Sequence, residues 1–325
     1  MFEKFIGLAL VLGVAIALPF LVEFYQVEVL VFLMFNLILA QSYRLVNTTG
    51  DWSLSHVVIM GTGAYGAALL GKLGGLPFWL TVPLGGVVAA LCSLLIIFPL
   101  LRTVGFGFFI ASFALGEFIR LIWIKFRDPF GAARGVTGIP GAEIGPWNLM
   151  GLYESYFIAL TVAVVSLWVM YRIDRSRLGD TFKAIHTDAD LCECIGIRVP
   201  RYRALAFVIG NFFAGIAGAL MAHHQGAIDP HNFEATLMVY LIIFVVVGGI
   251  KTFWGPILGV IVMTVVFEAT RFLEAWRPLI AGAVLIFFLV VMPGGLEILI
   301  APIARGLRKL PGLRWLIPEQ VARSL

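Results

Sequence analysis

The chain has 325 residues, of which 61% are hydrophobic and only 13% are charged, with a net charge of +4 and a mean hydropathy of +0.99. A soluble domain is nearer half apolar and a quarter charged, so this composition excludes an ordinary soluble protein and requires lipid around most of the surface. The basic residues lie between apolar stretches rather than on one face, which excludes the usual nucleic-acid footprint. Three cysteines are too few for a disulfide framework.

Apolar stretches long enough for transmembrane helices recur along the chain, since such a helix needs about 20 mostly apolar residues. The first, 5–22, resembles a cleaved signal, but Lys4 in its lead-in is offset by Glu3, so we interpret it as a retained span. We predict an all-α integral membrane protein, a bundle of about ten transmembrane helices. The predicted spans are 5–22, 27–46, 57–71, 77–101, 105–126, 155–171, 204–222, 235–249, 254–272 and 278–293.

The distribution of lysine and arginine predicts the orientation of these spans. With the N-terminus inside, most basic residues fall on the cytoplasmic side, above all in the loop 172–203 and the tail 301–325. We therefore predict a transmembrane domain over 1–300 and a basic cytoplasmic tail over 301–325, with both termini and the loop in the cytoplasm. Two other connections, 127–154 and 223–234, are predicted to lie outside.

The irregular segment NTTGDWSLSH interrupts the second and third spans and contains Asp51, Trp52, Ser53 and His56. Non-helical backbone at membrane depth is tolerated only against protein or a water-filled cavity. Broken helices often mark solute sites in transporters. The segment is therefore either part of a solute path or a plain cytoplasmic turn.

Two pairs of opposite charges lie three residues apart inside predicted spans, Glu117 with Arg120 and Glu268 with Arg271. Residues at this spacing meet on one helix face. A charge at the bilayer centre costs about 3 kcal/mol and usually faces protein or water. The pairs are either self-neutralising packing contacts or, for Glu117 and Arg120, part of a solute path.

The polar segment FKAIHTDADLCECIGI, 182–197, lies between two apolar spans. Gly179–Asp180 is a candidate helix start and Gly196 a candidate stop. Cys192 and Cys194 would point about 200° apart on a helix, so they cannot share a metal ion there. The pattern leaves open a helix lying on lipid or a socket for a soluble partner. An apolar stripe at steps of three and four predicts one amphipathic helix: Phe182, Ile185, Ala189, Cys192 and Ile195.

No residues point to covalent chemistry or to a resident metal. The sequence lacks a G-x-x-x-x-G-K-[ST] motif, so any ATP hydrolysis must occur on another chain. His223, His224 and His231 have no regular ligand spacing, which is typical of simple loop residues. An ion-coupled carrier would need buried acidic ion sites, for which Glu117 is a candidate, and a membrane enzyme would need clustered His, Asp or Cys facing one leaflet.

Four motifs in a fixed order together carry a family resemblance: GDWSLSHVVIMGTGAYGAALL (50–70), RGVTGIPG (134–141), RSRLGDTFKAIHTDADLCECIGIRVPRYRALAFVIGNFFAGIAGAL (175–220) and VVGGIKTFWGPILGV (246–260). They resemble the M-type permease of branched-chain amino acid ABC importers. Asp51, Ser55 and Ala132 stand where that family usually has glutamine, glycine and glycine. These differences leave the identity of the solute open.

The resemblance implies the fold of the larger ABC importer permeases and a transporter subunit without enzyme activity, in a bacterial inner membrane. It implies no cofactor on this chain, with ATP and Mg on two separate ATPase subunits. It also implies a homologous second permease and an extracytoplasmic binding protein that delivers branched-chain amino acids or related small solutes. The alternative is an ion-coupled secondary carrier for a small organic solute.

The same resemblance assigns residues to two roles. It implies ATPase coupling for Arg177, Gly179, Asp180, Ile185, Asp188, Asp190, Glu193 and Gly196. It implies a position near the solute path for the segment 50–56. With the charged pair of the fifth span, the candidates for that path are Asp51, Trp52, Ser53, His56, Glu117 and Arg120.

Overall fold

The computed structural model describes residues 13, 15–103, 105–144, 147–148, 151–292 and 294–297. These residues are mainly helical, as predicted. Half of the predicted first span, 5–22, and all of the predicted tail, 301–325, lie outside the described residues.

From Phe24 onward the helices follow the predicted spans closely, except in the loop 172–203. In chain order they are α1 (Phe24–Asn47), α2 (His56–Lys72), α3 (Phe78–Leu100), α4 (Phe106–Lys125), α5 (Leu152–Asp174), α6 (Arg177–Thr187), α7 (Ala189–Cys194), α8 (Val199–Gln225), α9 (Ala235–Gly248), α10 (Trp254–Ala269) and α11 (Arg277–Val291).

Not every helix is long enough to span a membrane by itself. Six stretches in the described part of the chain are long and apolar enough: Phe24–Asn47, Phe78–Leu100, Phe106–Lys125, Leu152–Asp174, Val199–Gln225 and Pro230–Gly248. α2, α10 and α11 are shorter. The helices indicate a multi-pass membrane protein, but the predicted number of about ten spans is not confirmed.

The chain divides into two compact units, one over Met34–Ile242 and one formed by Met1–Leu33 with Ile243–Leu325. In the larger unit, α2, α3 and α8 pack against one another through small residues. The Cα of Gly215 in α8 lies so close to Gly63 in α2 that a Cβ on Gly63 would collide with it, and Gly215 also abuts Gly85 and Ala89 in α3. Lipid tails are as apolar as leucine, so close contact between backbones, rather than a hydrophobic drive, holds such helices together.

In the smaller unit, the end of α9 and α10 also pack with their backbones in close contact. A side chain on Gly259 would collide with the Phe244 carbonyl oxygen. The turn between the two helices is held by Glu297, which is 3% exposed and accepts a hydrogen bond from the Thr252 amide at 2.8 Å. The Leu296 amide donates to the Val247 carbonyl at 2.8 Å. This unit is therefore also closed by backbone contacts.

The larger unit has two distinct ends. At one end α1 and α5 finish, α8 begins, and α6 and α7 lie between α5 and α8. At the other end, the two connections predicted to lie outside meet, because β1 (Val136–Thr137) pairs antiparallel with β4 (Ala227–Ile228). The strands β2 (Glu143–Ile144) and β3 (Trp147–Asn148) form a second antiparallel pair.

We expect Gly215→Leu to lower the free energy of unfolding by about 3 kcal/mol, because the new side chain has no space between α2 and α3. Thermal unfolding of the purified protein in detergent measures this effect. Gly282→Leu is the matched control, because a Cβ at Gly282 in α11 meets nothing within 4 Å. Equal unfolding temperatures for the two variants would contradict the packing described here.

Candidate functional site

The loop 172–203 contains two helices, so the prediction of one amphipathic helix over this segment is wrong. The backbone is extended at Asp188 (φ −158°, ψ 102°), which ends α6 and begins α7. The Asp188 carboxylate accepts a hydrogen bond from the Leu191 amide at 2.9 Å. Aspartate favours such N-caps over helix interiors because its side chain satisfies a free amide at the helix start. The break therefore follows from a local hydrogen bond that hydrophobic periodicity does not report.

The ends of this helix pair also differ in part from the prediction. α6 begins at Arg177 with Ser176 as its N-cap, so the predicted start at Gly179–Asp180 is wrong. Gly196 follows the end of α7 with a left-handed φ of +88°, as expected for a helix stop.

The predicted apolar stripe of this segment is only partly buried. Phe182, Ile185 and Cys192 are buried as predicted, whereas Ile195 is 71% exposed. Leu191, which was not part of the predicted stripe, is 61% exposed. α7 and the residue that follows it therefore present two large apolar side chains to the surroundings, beside exposed acidic residues.

The buried face of the pair packs on helix ends of the larger unit. Phe182 lies in a cluster with Leu45 of α1 and Ala206 of α8. Ile185 and Cys192 form a second cluster with Val199, at the start of α8. These contacts fix α6 and α7 to the end of the bundle.

Gly179 permits the closest contact of this face. A Cβ at Gly179 would collide with the carbonyl oxygens of Asp174 and Ile173 at the end of α5. The eight predicted coupling residues thus sort onto two faces. Gly179 and Ile185 are buried against the bundle, and the exposed ones are Arg177, Asp180, Asp188, Asp190, Glu193 and Gly196.

The irregular segment between α1 and α2 is packed within the larger unit. Asp51 is 8% exposed and forms an ion pair with Arg203 at the start of α8, with Oδ2 and Nε 3.3 Å apart. Burial raises the pKa of Asp51, while the positive charge of Arg203 acts in the opposite direction. A Cβ at Gly50 would lie 3.2 Å from the Nδ1 atom of His186 in α6. This turn therefore lies beside α6, at the same end of the bundle.

The other predicted residues of this segment have protein partners. Ser53 is fully buried, with its hydroxyl 2.9 Å from that of Ser55. His56 begins α2, is fully buried and lies 2.9 Å from the Ser42 hydroxyl. The ring of Trp52 meets that of Tyr43 edge to face at 6.3 Å. Their role in a solute path stays a prediction.

Arg120 and Glu117 form a bidentate ion pair, with the shortest nitrogen–oxygen distance at 2.6 Å. The structure adds a partner that the sequence did not indicate, because Arg120 also lies 3.5 Å from Glu234. Glu234 in turn lies 2.8 Å from His231. The other predicted pair, Glu268 with Arg271, is looser at 3.7 Å.

Of the predicted path residues, Glu117 lines a narrow cleft in the larger unit. The cleft is lined by Glu117 and Glu234 together with apolar side chains, among them Leu54, Phe113 and Met238. Leu54 belongs to the irregular segment, and its amide donates to the Ser112 hydroxyl of α4 at 2.8 Å. Glu117 thus lines a cleft with a neighbour of Ser53, whereas Asp51, Trp52, Ser53 and His56 do not line it.

The histidines were predicted to be loop residues, and for two of them that is wrong. His223 and His224 belong to the last turn of α8. His223 is buried, with its ring nitrogens 2.8 Å from the Thr81 hydroxyl and 2.6 Å from the Pro140 carbonyl oxygen. Among the described residues, no group of three or more His, Cys, Asp and Glu side chains is placed to hold a metal ion.

Sequence reasoning missed a buried ion pair at the base of α6. The Arg44 guanidinium donates to the Asp174 carboxylate at 3.1 Å, and Lys183 lies 3.2 Å from the same carboxylate. In the sequence, Arg44 is a single basic residue near the end of an apolar stretch, and Asp174 is one acidic residue in the basic stretch YRIDRSR. The signal in the sequence that could have indicated this ion pair is an isolated charge at the end of an apolar span.

We expect Asp188→Ala to weaken α7 by about 1 kcal/mol, seen as about fivefold faster amide hydrogen exchange at Leu191, because the N-cap acceptor is lost. Asp188→Asn keeps an oxygen acceptor and removes only the charge, so its exchange rate should stay near that of the original protein. Equal acceleration in both variants would contradict the capping role.

The sequence of this chain is similar to those of known membrane permeases. The family described as branched-chain amino acid transport system / permease component matches residues 25–289. The high-affinity branched-chain amino acid transport system permease protein LivM of Salmonella typhimurium is 30% identical over 309 residues, which cover 88% of this chain and 73% of LivM. LivM of Escherichia coli is 30% identical over 313 residues, 89% of this chain and 74% of that protein.

A second permease is also similar over part of the chain. The high-affinity branched-chain amino acid transport system permease protein LivH of Salmonella typhimurium is 27% identical over 172 residues, 49% of this chain and 55% of LivH. No solved structure matches. The chain belongs to the family of permease components of branched-chain amino acid transport systems.

Proposed function

We propose that this chain is the permease subunit of an ABC importer that carries branched-chain amino acids or related small solutes across a bacterial inner membrane. In this proposal two ATPase subunits on other chains bind ATP and Mg and hydrolyse the nucleotide. An extracytoplasmic binding protein delivers the solute, and a homologous second permease completes the path. The similarity of this chain to both LivM and LivH supports the pairing of two related permeases.

The observation that carries the proposal is the arrangement of α6 and α7. One face of the pair is packed on the ends of α1, α5 and α8, through Phe182, Ile185 and Gly179. The other face exposes Leu191 and Ile195. An element that is anchored on one side and presents two apolar side chains among charges on the other suits a soluble partner that must move the helices it binds.

The opposite end of the larger unit supports delivery by a binding protein. The connections 127–154 and 223–234 are joined there by the pairing of β1 with β4. Lys72 at the end of α2 donates to the Thr137 carbonyl at 2.7 Å, which ties the same surface to the bundle. A surface built from two distant segments offers a defined receiving site.

The solute path is proposed to pass the cleft that contains Glu117. Alternating access would open this cleft toward the outside and then toward the cytoplasm as α6 and α7 move. Glu117 is paired with Arg120, so it is not the isolated acidic group that an ion-coupled carrier would use. The pair offers both charges to a zwitterionic solute.

We expect Leu191→Asp and Ile195→Asp each to weaken binding of the ATPase subunits by at least about tenfold, the size of an interface hot spot. Co-purification of the ATPase subunits with the tagged permease measures this loss. Leu73→Asp is the control, because Leu73 is 72% exposed at the other end of α2. Normal ATPase recovery with both α7 variants would refute docking at this helix.

We expect Glu117→Gln to lower solute uptake by at least about tenfold, because an ion pair in the path loses its negative partner. Uptake into vesicles that contain the whole importer measures the effect, and recovery of the ATPase subunits should not change. Glu268→Gln removes the same charge from the other pair of equal spacing, which is looser, and should leave uptake unchanged. Unchanged uptake with Glu117→Gln would remove this residue from the path.

A further inference from the structure

The contact that joins α6 to the membrane helices is built around one carboxylate, that of Asp174 at the end of α5. Its Oδ1 atom accepts a hydrogen bond from the Arg44 guanidinium of α1 at 3.1 Å. Its Oδ2 atom lies 3.2 Å from the Lys183 ammonium of α6. A single side chain therefore connects three helices.

The burial of the three charges is graded from the interior to the surface. The exposed fractions of the side chains are 2% for Arg44, 10% for Asp174 and 44% for Lys183. Removing one partner of a buried ion pair is strongly destabilising, so the contact of Arg44 with Asp174 favours arrangements in which these two side chains stay together. The end of α1 therefore stays joined to the end of α5.

Lys183 extends this link to α6 in a second way. Its ammonium also donates to the backbone carbonyl of Asp174 at 2.9 Å. The last carbonyl groups of a helix lack partners within the helix and carry partial negative charge, so a cation binds there favourably. Lys183 is thus held by both the side chain and the backbone of the last residue of α5.

The packing around this link resists sliding of α6. Gly179 lies against the carbonyl oxygens of Ile173 and Asp174, with no room for a Cβ. Phe182 is fully buried against Leu45, one residue after Arg44. A displacement of α6 must therefore move the ends of α1 and α5 with it.

We propose that Asp174 is the positioning residue through which α6 moves the membrane helices, with Lys183 as the contact on the ATPase side and Arg44 as the contact on α1. This inference rests on the proposed function, because it assumes that ATPase subunits push on α6 and α7. The inference adds to that function the charged contacts through which a movement of α6 reaches α5 and α1. Its loss should uncouple nucleotide hydrolysis from transport while the subunits stay assembled.

The test measures solute uptake and ATP hydrolysis by the whole importer in vesicles, together with recovery of the ATPase subunits. Lys183→Gln removes the exposed charge and leaves the buried pair intact. We expect normal assembly and a fall of at least about fivefold in solute taken up per ATP, the scale of a coupling free energy between sites. Lys183→Arg keeps the charge and should restore most of the ratio, and Lys125→Gln on α4 should not change it.

A paired variant tests the buried part of the link. Asp174→Asn alone would remove the carboxylate charge beside the buried Arg44 guanidinium, so it is combined with Arg44→Met, which removes both charges together. We expect this variant to assemble and to show the same uncoupling. If it is not recovered from the membrane, the comparison of Lys183→Gln with Lys183→Arg decides the question.

A wild-type ratio of uptake to hydrolysis in Lys183→Gln would overturn the proposal, as would a wild-type ratio in the recovered paired variant. An equal loss in Lys183→Gln and Lys183→Arg would also overturn it, because the charge would then not matter. Loss of the ATPase subunits from Lys183→Gln would make Lys183 a docking residue instead. Failure of the unmodified importer to bind ATPase subunits would refute the proposed function itself.

Discussion

Close contact between the backbones of α2, α3 and α8 is the constraint on which the larger unit depends. Gly63, Gly85 and Gly215 lie where a Cβ would collide with a neighbouring helix. In lipid, apolar side chains gain little from contacting each other rather than acyl chains, so the contact must come from close packing. Interiors packed in this way resist continuous deformation, and the helices then tend to move as bodies.

Because the bundle is rigid, a force applied at the helix ends acts on the whole bundle. α1, α5 and α8 place their ends beside α6, where Arg44, Asp174 and Phe182 lie buried. At the other end, the pairing of β1 with β4 joins two connections that are far apart in sequence. A bundle that moves as a body can relate events at one end to the shape of the other, which is what an importer permease must do.

The helices were predictable because transmembrane stretches differ from loops in composition, and those from 27–46 to 278–293 correspond to helices in the structure. The break at Asp188 could not be predicted in this way, because an aspartate N-cap acts locally and leaves the apolar periodicity of Phe182, Ile185 and Cys192 intact. Ile195, which lies just beyond the end of α7 at Cys194, is exposed.

Contacts between residues that are far apart along the chain could not be predicted from the sequence. The spacing of Glu117 and Arg120 on one helix predicted their ion pair. The contact of Arg120 with Glu234 and the ion pair of Asp51 with Arg203 form only in the tertiary fold. The link from Arg44 to Asp174 joins residues 130 positions apart. A single sequence records the charges without their pairing.

We propose that this permease is moved by nucleotide hydrolysis on other chains. The direct measurement is solute accumulation in sealed vesicles that hold both permeases, with or without the ATPase subunits. We expect accumulation against a gradient only when the ATPase subunits and ATP are present. Accumulation driven by an imposed proton or sodium gradient in vesicles without ATPase subunits would contradict it.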